Sequence, residues 1–178
     1  MKRRTRGMAV AFLLLVSSGA AQWNPPNSVA AVEQRTDGVW CTMAKGVLRV
    51  EVCTPSILHI RYTPGLSSPA RREYVLQNPD WGPVPWTMKT SSGEITLETA
   101  SVRATIGRSD GTIIFSDSTG KKLFEDWART LTPVEVNGES TYHAEVFSNL
   151  WGSSEGFYGL GQHQAGVWNY RGESIELS

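Results

Sequence analysis

Hydrophobic and polar residues alternate with a period of two along much of the chain. Val47 to Cys53 sets Leu48, Val50 and Val52 against Arg49 and Glu51, and Ile57 to Tyr62 sets Leu58, Ile60 and Tyr62 against His59 and Arg61. Successive side chains of a strand point to opposite faces, so each run predicts a strand with one face buried. Tyr74 to Gln77, Glu94 to Thr99, Ser101 to Gly107, Thr112 to Phe115 and Tyr142 to Phe147 repeat the theme at short intervals. Between such runs stand Asp110-Gly111 and Asn137-Gly138, dipeptides that accept the positive φ of tight hairpin turns. No segment sustains a helical period, apart from a single turn expected around Phe124 to Arg129. Many short antiparallel strands with turn signals predict an all-β fold, a sandwich or a barrel, over residues 38–178.

The first residues depart from that pattern. Lys2, Arg3, Arg4 and Arg6 are followed by an unbroken apolar run from Met8 to Val16 and then by Ser18-Gly19-Ala20-Ala21. A charged start, an apolar middle and small residues before a cleavage point define residues 1–21 as an expected secretory signal peptide. The apolar run is far shorter than the roughly 20 residues that span a bilayer. No Cys follows it to carry a lipid anchor, so the mature chain is expected to be secreted or periplasmic. Arg3-Arg4 leaves the choice between general and twin-arginine export open. Residues 22–37, with Asn24-Pro25-Pro26-Asn27-Ser28, read as a flexible lead-in.

Export makes the two cysteines a disulfide question, because the compartment would be oxidising. A hairpin turning near Ala44 to Gly46 places Cys41 opposite Leu48 or Val50, whereas Cys53 shares the parity of Arg49 and Glu51. The parity argues against pairing, and the sequence leaves it open. No zinc pattern is present among Cys41, Cys53, His59, His143 and His163.

Composition adds limits. Hydrophobic residues make up 40% of the chain and its formal net charge is zero, which argues against nucleic acid or an anionic membrane as partner. Seven tryptophans are present, two of them in Trp81-Gly82-Pro83-Val84-Pro85-Trp86, where the prolines forbid a central strand. These two rings are equally compatible with a sugar platform and with folding back onto the sheet.

Candidate chemistry concentrates between Phe157 and Gly172, where Tyr158, Gln162, His163, Gln164, Trp168, Asn169, Tyr170 and Arg171 lie among five glycines counted from Gly156. Flat rings mixed with amides and a guanidinium suit a sugar, whose hydroxyls need polar partners and whose C–H face stacks on an aromatic ring. Gln162, His163, Trp168 and Arg171 are the candidate sugar-binding residues. Tyr158 and Trp168 are equally suited to filling a core. Gly159-Leu160-Gly161 does not continue into a dinucleotide fingerprint, since Gln164 holds the third small position.

The run Phe157-Tyr158-Gly159-Leu160-Gly161-Gln162-His163-Gln164, with Asn169-Tyr170-Arg171-Gly172, resembles the N-terminal domain of family-31 glycoside hydrolases, the α-glucosidase and α-xylosidase group. Ile113 to Phe124 is similar to that domain's strand, Asp-x-x-Gly turn and strand. The resemblance implies an antiparallel β-sandwich of the galactose mutarotase-like kind, followed in family members by a (β/α)8 barrel that cleaves the glycosidic bond. About 157 residues follow the signal segment, short of the roughly 250 of such a barrel. The sandwich is therefore expected to be incomplete at its C-terminus, with the barrel absent from the chain.

Glycoside hydrolysis works through two carboxylates flanking the scissile bond. Asp117, Glu125, Asp126, Glu155, Glu173 and Glu176 qualify by type alone, and Asp117 is better explained as a turn residue bonding to its own backbone. No catalytic residue, metal ligand or cofactor is assigned to this chain. The expected function is the N-terminal, carbohydrate-binding or structural domain of an exported retaining α-glycosidase. Its partners are an α-linked oligosaccharide or glycoside and the barrel of the same polypeptide. The alternative is a free-standing carbohydrate-binding sandwich without catalysis.

Overall fold

The structure is a computed structural model that describes residues 27–66, 81–149, 154–159 and 166–173. The expected signal peptide, the Tyr74 to Gln77 run and the start of the lead-in lie outside the described residues. Within them the chain forms strands and no helix. The strands are β1 (Val29–Arg35), β2 (Gly38–Met43), β3 (Val47–Thr54), β4 (Ile57–Thr63), β5 (Thr87–Thr90), β6 (Glu94–Glu98), β7 (Val102–Gly107), β8 (Ile113–Asp117), β9 (Lys122–Val136) and β10 (Glu139–Asn149).

Two antiparallel sheets result, one ordered β1-β2-β3-β4 and the other β10-β9-β8-β7-β6-β5. Within each sheet every strand pairs with its neighbour in sequence, so each is built from local hairpins. The alternation read from the sequence is the packing code. Val39, Cys41, Leu48, Val50 and Val52 of the smaller sheet are buried in one cluster with Ile95, Leu97, Ala104, Ile106 and Ile113 of the larger. This is a sandwich with its core between two inner faces.

The hairpins follow from their turn residues. Asn137 (φ 53°) and Gly138 (φ 81°) are the only residues between β9 and β10, and both hold the left-handed angles that a two-residue type I′ turn demands. Gly111 (φ 73°) is more tightly constrained, because a Cβ there would run into the Met43 side chain and the Asn27 carbonyl. The expected turn at Ala44 to Gly46 is present, with the Met43 amide donating to the Gly46 carbonyl at 3.0 Å.

Two expectations need correction. Val29–Arg35, assigned to the flexible lead-in 22–37, is strand β1 paired with β2. A register shift between Val29 and Ala31 breaks its period, leaving only Val29 and Val32 against the core. The helical turn expected around Phe124 to Arg129 is part of β9. That strand carries two extra residues. Phe115 opposes Phe124 while Ser116 opposes Lys122, so Leu123 bulges; Ser148 opposes Asp126 while Phe147 opposes Ala128, so Trp127 bulges.

Cys41 lies opposite Leu48, and both cysteines are buried free thiols. Burial pushes the Cys41 thiol up to about 11, against the pull of Arg108 and Arg129. The outer face of the smaller sheet is polar but also layered. The Arg49 and Arg35 guanidinium carbons lie 4.0 and 4.4 Å from the Trp40 ring centroid, one contribution to the burial of Arg49 at 7% exposure.

Candidate functional site

Of the four candidate sugar-binding residues, Trp168 and Arg171 fall within the described residues, whereas Gln162 and His163 lie outside them. The local scaffold is built by Asn169, which the sequence reading grouped with the polar residues of this stretch but did not select as a binding residue. Its Oδ1 accepts from the Phe157 amide at 3.0 Å and from the Arg171 amide at 3.1 Å, and the Tyr170 amide donates to the Phe157 carbonyl at 2.9 Å. One side chain thus ties 157 to 169–171, as short polar side chains do when they satisfy backbone donors in turns. Gly156 makes room for it, since a Cβ there would lie 2.7 Å from the Asn169 amide group.

That scaffold sets Tyr158 and Trp168 side by side on the surface. Their ring centroids are 6.3 Å apart with planes tilted by 53°, within the range of an attractive aromatic pair. Trp168 is 83% exposed, so it is not a core residue. Arg171 is turned back to the chain, its Nη1 donating to the Glu155 carbonyl at 2.9 Å. The site is therefore an exposed two-ring corner held by backbone bonds. It can stack on an apolar C–H face, and among the described residues it sets no pair of carboxylates beside the rings.

Removing Trp168 tests that reading. Trp168→Ala is expected to change unfolding free energy by no more than about 0.5 kcal/mol, the usual range for an exposed site. Denaturant unfolding checks this, and a loss near the roughly 3 kcal/mol of a buried tryptophan would place the ring in a core instead.

The two loop tryptophans divide. Trp86 packs against the core and donates from Nε1 to the Thr36 carbonyl at 3.1 Å, while Trp81 remains 39% exposed. Folding back is the outcome for Trp86.

The carboxylates also separate by role. Asp117 Oδ1 accepts from the Thr119 amide at 2.8 Å, the Thr119 hydroxyl at 2.6 Å and the Lys121 amide at 3.0 Å, as a turn residue should. The hydroxyl bond is the main reason its carboxyl is held below the ordinary aspartate range. Asp126 is different. It is 6% exposed, its Oδ2 accepts from Arg129 Nε at 2.6 Å, and its Oδ1 has no hydrogen-bond partner among the described residues. In a regular strand residues three apart face opposite ways, and the bulge at Trp127 is what brings Asp126 and Arg129 to one face. Burial pushes the Asp126 carboxyl up, with Arg129 pulling against it. Among the described residues no group of three or more His, Cys, Asp or Glu is placed to hold a metal ion.

Residues 47–178 match the family model of the glycosyl hydrolase 31 N-terminal galactose mutarotase-like domain. Three solved structures share the fold. A GH31 α-xylosidase from a soil metagenome, complexed with xylose, superposes with a TM-score of 0.64 at 18% identity over 81% of this chain and 24% of its own. The GH31 α-xylosidase of Xanthomonas citri gives 0.62 at 23% identity, covering 80% of this chain and 16% of its own. A GH31 dextranase variant of Flavobacterium johnsoniae, complexed with isomaltotriose, gives 0.61 at 19% identity, covering 84% and 18%. The present chain spans between 16% and 24% of the length of these proteins.

Proposed function

The chain belongs to the glycosyl hydrolase 31 N-terminal galactose mutarotase-like domain family, and from that premise we propose that it is the sandwich portion of an exported, retaining α-glycosidase. Membership implies a glycoside hydrolase parent. The observation that carries the proposal is the family match across 47–178.

The reaction itself belongs to residues outside this chain. A retaining enzyme holds a nucleophile and an acid about 5–5.5 Å apart, and Asp117 and Asp126 are instead committed to a turn and to an ion pair. The nucleophile and the acid are assigned to a barrel on the same polypeptide. The sandwich contributes packing, and the Tyr158 and Trp168 corner contributes a stacking surface for an α-linked glucose or xylose unit. Xylose and isomaltotriose in two of the similar structures support a glycoside as the ligand class. The charged, apolar and small-residue order of Met1 to Ala21 supports export.

The purified 178-residue chain is expected to hydrolyse neither aryl α-glucosides nor aryl α-xylosides, whereas the polypeptide that continues into a barrel hydrolyses one of them with retention at the anomeric carbon. Turnover that follows the short chain through purification would overturn the proposal. A stop codon directly after codon 178, with oligosaccharide binding by the chain alone, would replace it with the free-standing binding module.

A further inference from the structure

Strand β10 ends the larger sheet with an edge that no other described strand pairs. Strand β8 follows β9 only as far as the Ile113 to Asp126 pair, so residues 128–136 of β9 have 139–147 of β10 as their sole strand partner among the described residues. A two-stranded ribbon is marginal in water by itself, and further strands are what stabilise it. The turn fixes which groups the edge offers. Asn137 and Gly138 form a two-residue loop, so Val136 and Glu139 are the hydrogen-bonded closing pair and the two kinds of pair alternate from there. Pro133, which has no N–H, accordingly stands at a pair without hydrogen bonds, opposite Tyr142. The N–H and C=O groups of Ser140, Tyr142, Ala144 and Val146 therefore point away from β9, along the open edge.

That edge lacks the features that keep strands apart. Neither Lys nor Pro occurs in Glu139–Asn149, and the register runs without a shift from Glu139 to Phe147. Its sequence is also complementary to itself. Turned about a two-fold axis at Ala144, a second β10 sets each Tyr142 opposite the other copy's Val146, a favourable aromatic and β-branched pairing, and each His143 opposite the other copy's Glu145. Tyr142 and Val146 are exposed, as are the side chains of His143 and Glu145. The Thr130 hydroxyl is bonded to Glu145 Oε2 at 3.0 Å, which leaves Oε1 for an imidazole N–H. Other centres are worse. An axis at Glu145 sets two carboxylates face to face, one at Tyr142 sets Glu139 against Glu145, and one at His143 leaves Glu145 opposite Thr141. We propose that β10 is a self-association edge, through which two copies of this chain pair antiparallel in the register centred on Ala144 to form one β9-β10-β10-β9 sheet. The proposal goes beyond the glycosidase reading and does not rest on it.

The test is sedimentation of the purified chain over a micromolar concentration series, with disulfide trapping to read the register. The unsubstituted chain is expected to shift from monomer to dimer mass as concentration rises and to go no further, because two-fold pairing uses both β10 edges. His143→Glu, which opposes carboxylates at two places, is expected to weaken association at least about tenfold. Adding Glu145→His restores unlike partners in exchanged positions and is expected to bring the affinity back to within about threefold. Ala144→Cys is expected to give a covalent dimer under mild oxidation, since a hydrogen-bonded antiparallel pair holds its Cα atoms about 5.5 Å apart, within disulfide reach. Thr141→Cys, which this register places opposite Phe147, is expected to give none. Monomer at every concentration, assembly beyond the dimer, association untouched by His143→Glu, failure of the double variant to recover it, or equal trapping at 141 and 144 would each overturn the proposal.

Discussion

Arg129→Ala is expected to lower the unfolding free energy by about 3–5 kcal/mol, the cost of leaving one member of a buried ion pair uncompensated. Both side chains are almost wholly enclosed, at 7% and 8% exposure, and the Nε to Oδ2 distance is 2.6 Å. Arg129 also donates from Nη2 to the Gly111 carbonyl at 2.9 Å, so its loss frees a backbone acceptor in the β7–β8 turn. The pH dependence identifies the cause. Asp126 is already pushed above the ordinary aspartate range by burial, and Arg129 is what opposes the shift. Without the guanidinium the folded-state pKa rises further above the unfolded value of about 3.9. A carboxyl raised in this way costs nothing below its unfolded pKa, and the penalty grows as pH rises toward its folded pKa. The deficit relative to the unsubstituted protein should therefore be larger at pH 7 than at pH 4. Urea unfolding at the two pH values measures it. A deficit independent of pH would assign the loss to packing and not to the stranded carboxylate.

Leu48→Ala is expected to cost about 2–5 kcal/mol, combining lost transfer free energy with the cavity left behind. Leu48 is fully buried in β3 between Cys41 on β2 and Tyr62 on β4, where the smaller sheet meets Ile95, Leu97 and Ile106 of the larger. Neighbours from two flanking strands and a second sheet cannot all collapse into the space. Leu48→Met, which conserves volume, should cost less than about 1.5 kcal/mol. Calorimetry on the pair provides the comparison. If alanine costs no more than methionine, the two inner faces do not close around this position.

Much of the sandwich was legible because a half-buried strand must alternate. The runs at Val47 to Cys53, Ile57 to Tyr62 and Glu94 to Thr99 reappear as β3, β4 and β6 within a residue or so. Asn137-Gly138 reappears as the turn its angles suit. The failures have one physical source, the loss of a strict period of two. In β9, Leu123, Phe124, Trp127, Ala128 and Leu131 fall at helix-like intervals in the sequence, and the bulged Leu123 and Trp127 interrupt the alternation that would have marked a strand. In β1 the register shift after Val29 leaves two half-buried valines three apart, a spacing no alternation search accepts.

The candidate site divides along the same line. Residue types between Phe157 and Gly172 suggested stacking and hydrogen bonding, yet side-chain type says nothing about direction. Whether Trp168 stands in solvent, whether Arg171 turns to the Glu155 carbonyl, and whether Asn169 braces the corner all depend on backbone bonds between residues up to sixteen apart. Local chemistry thus determined by itself that this chain is strand-rich and turn-punctuated, since propensity and alternation act over a few residues. Only the tertiary structure decided the Asp126 and Arg129 pair and the exposed ring corner. Each of these requires groups on separate elements, or groups re-aimed by a bulge, to arrive at one place.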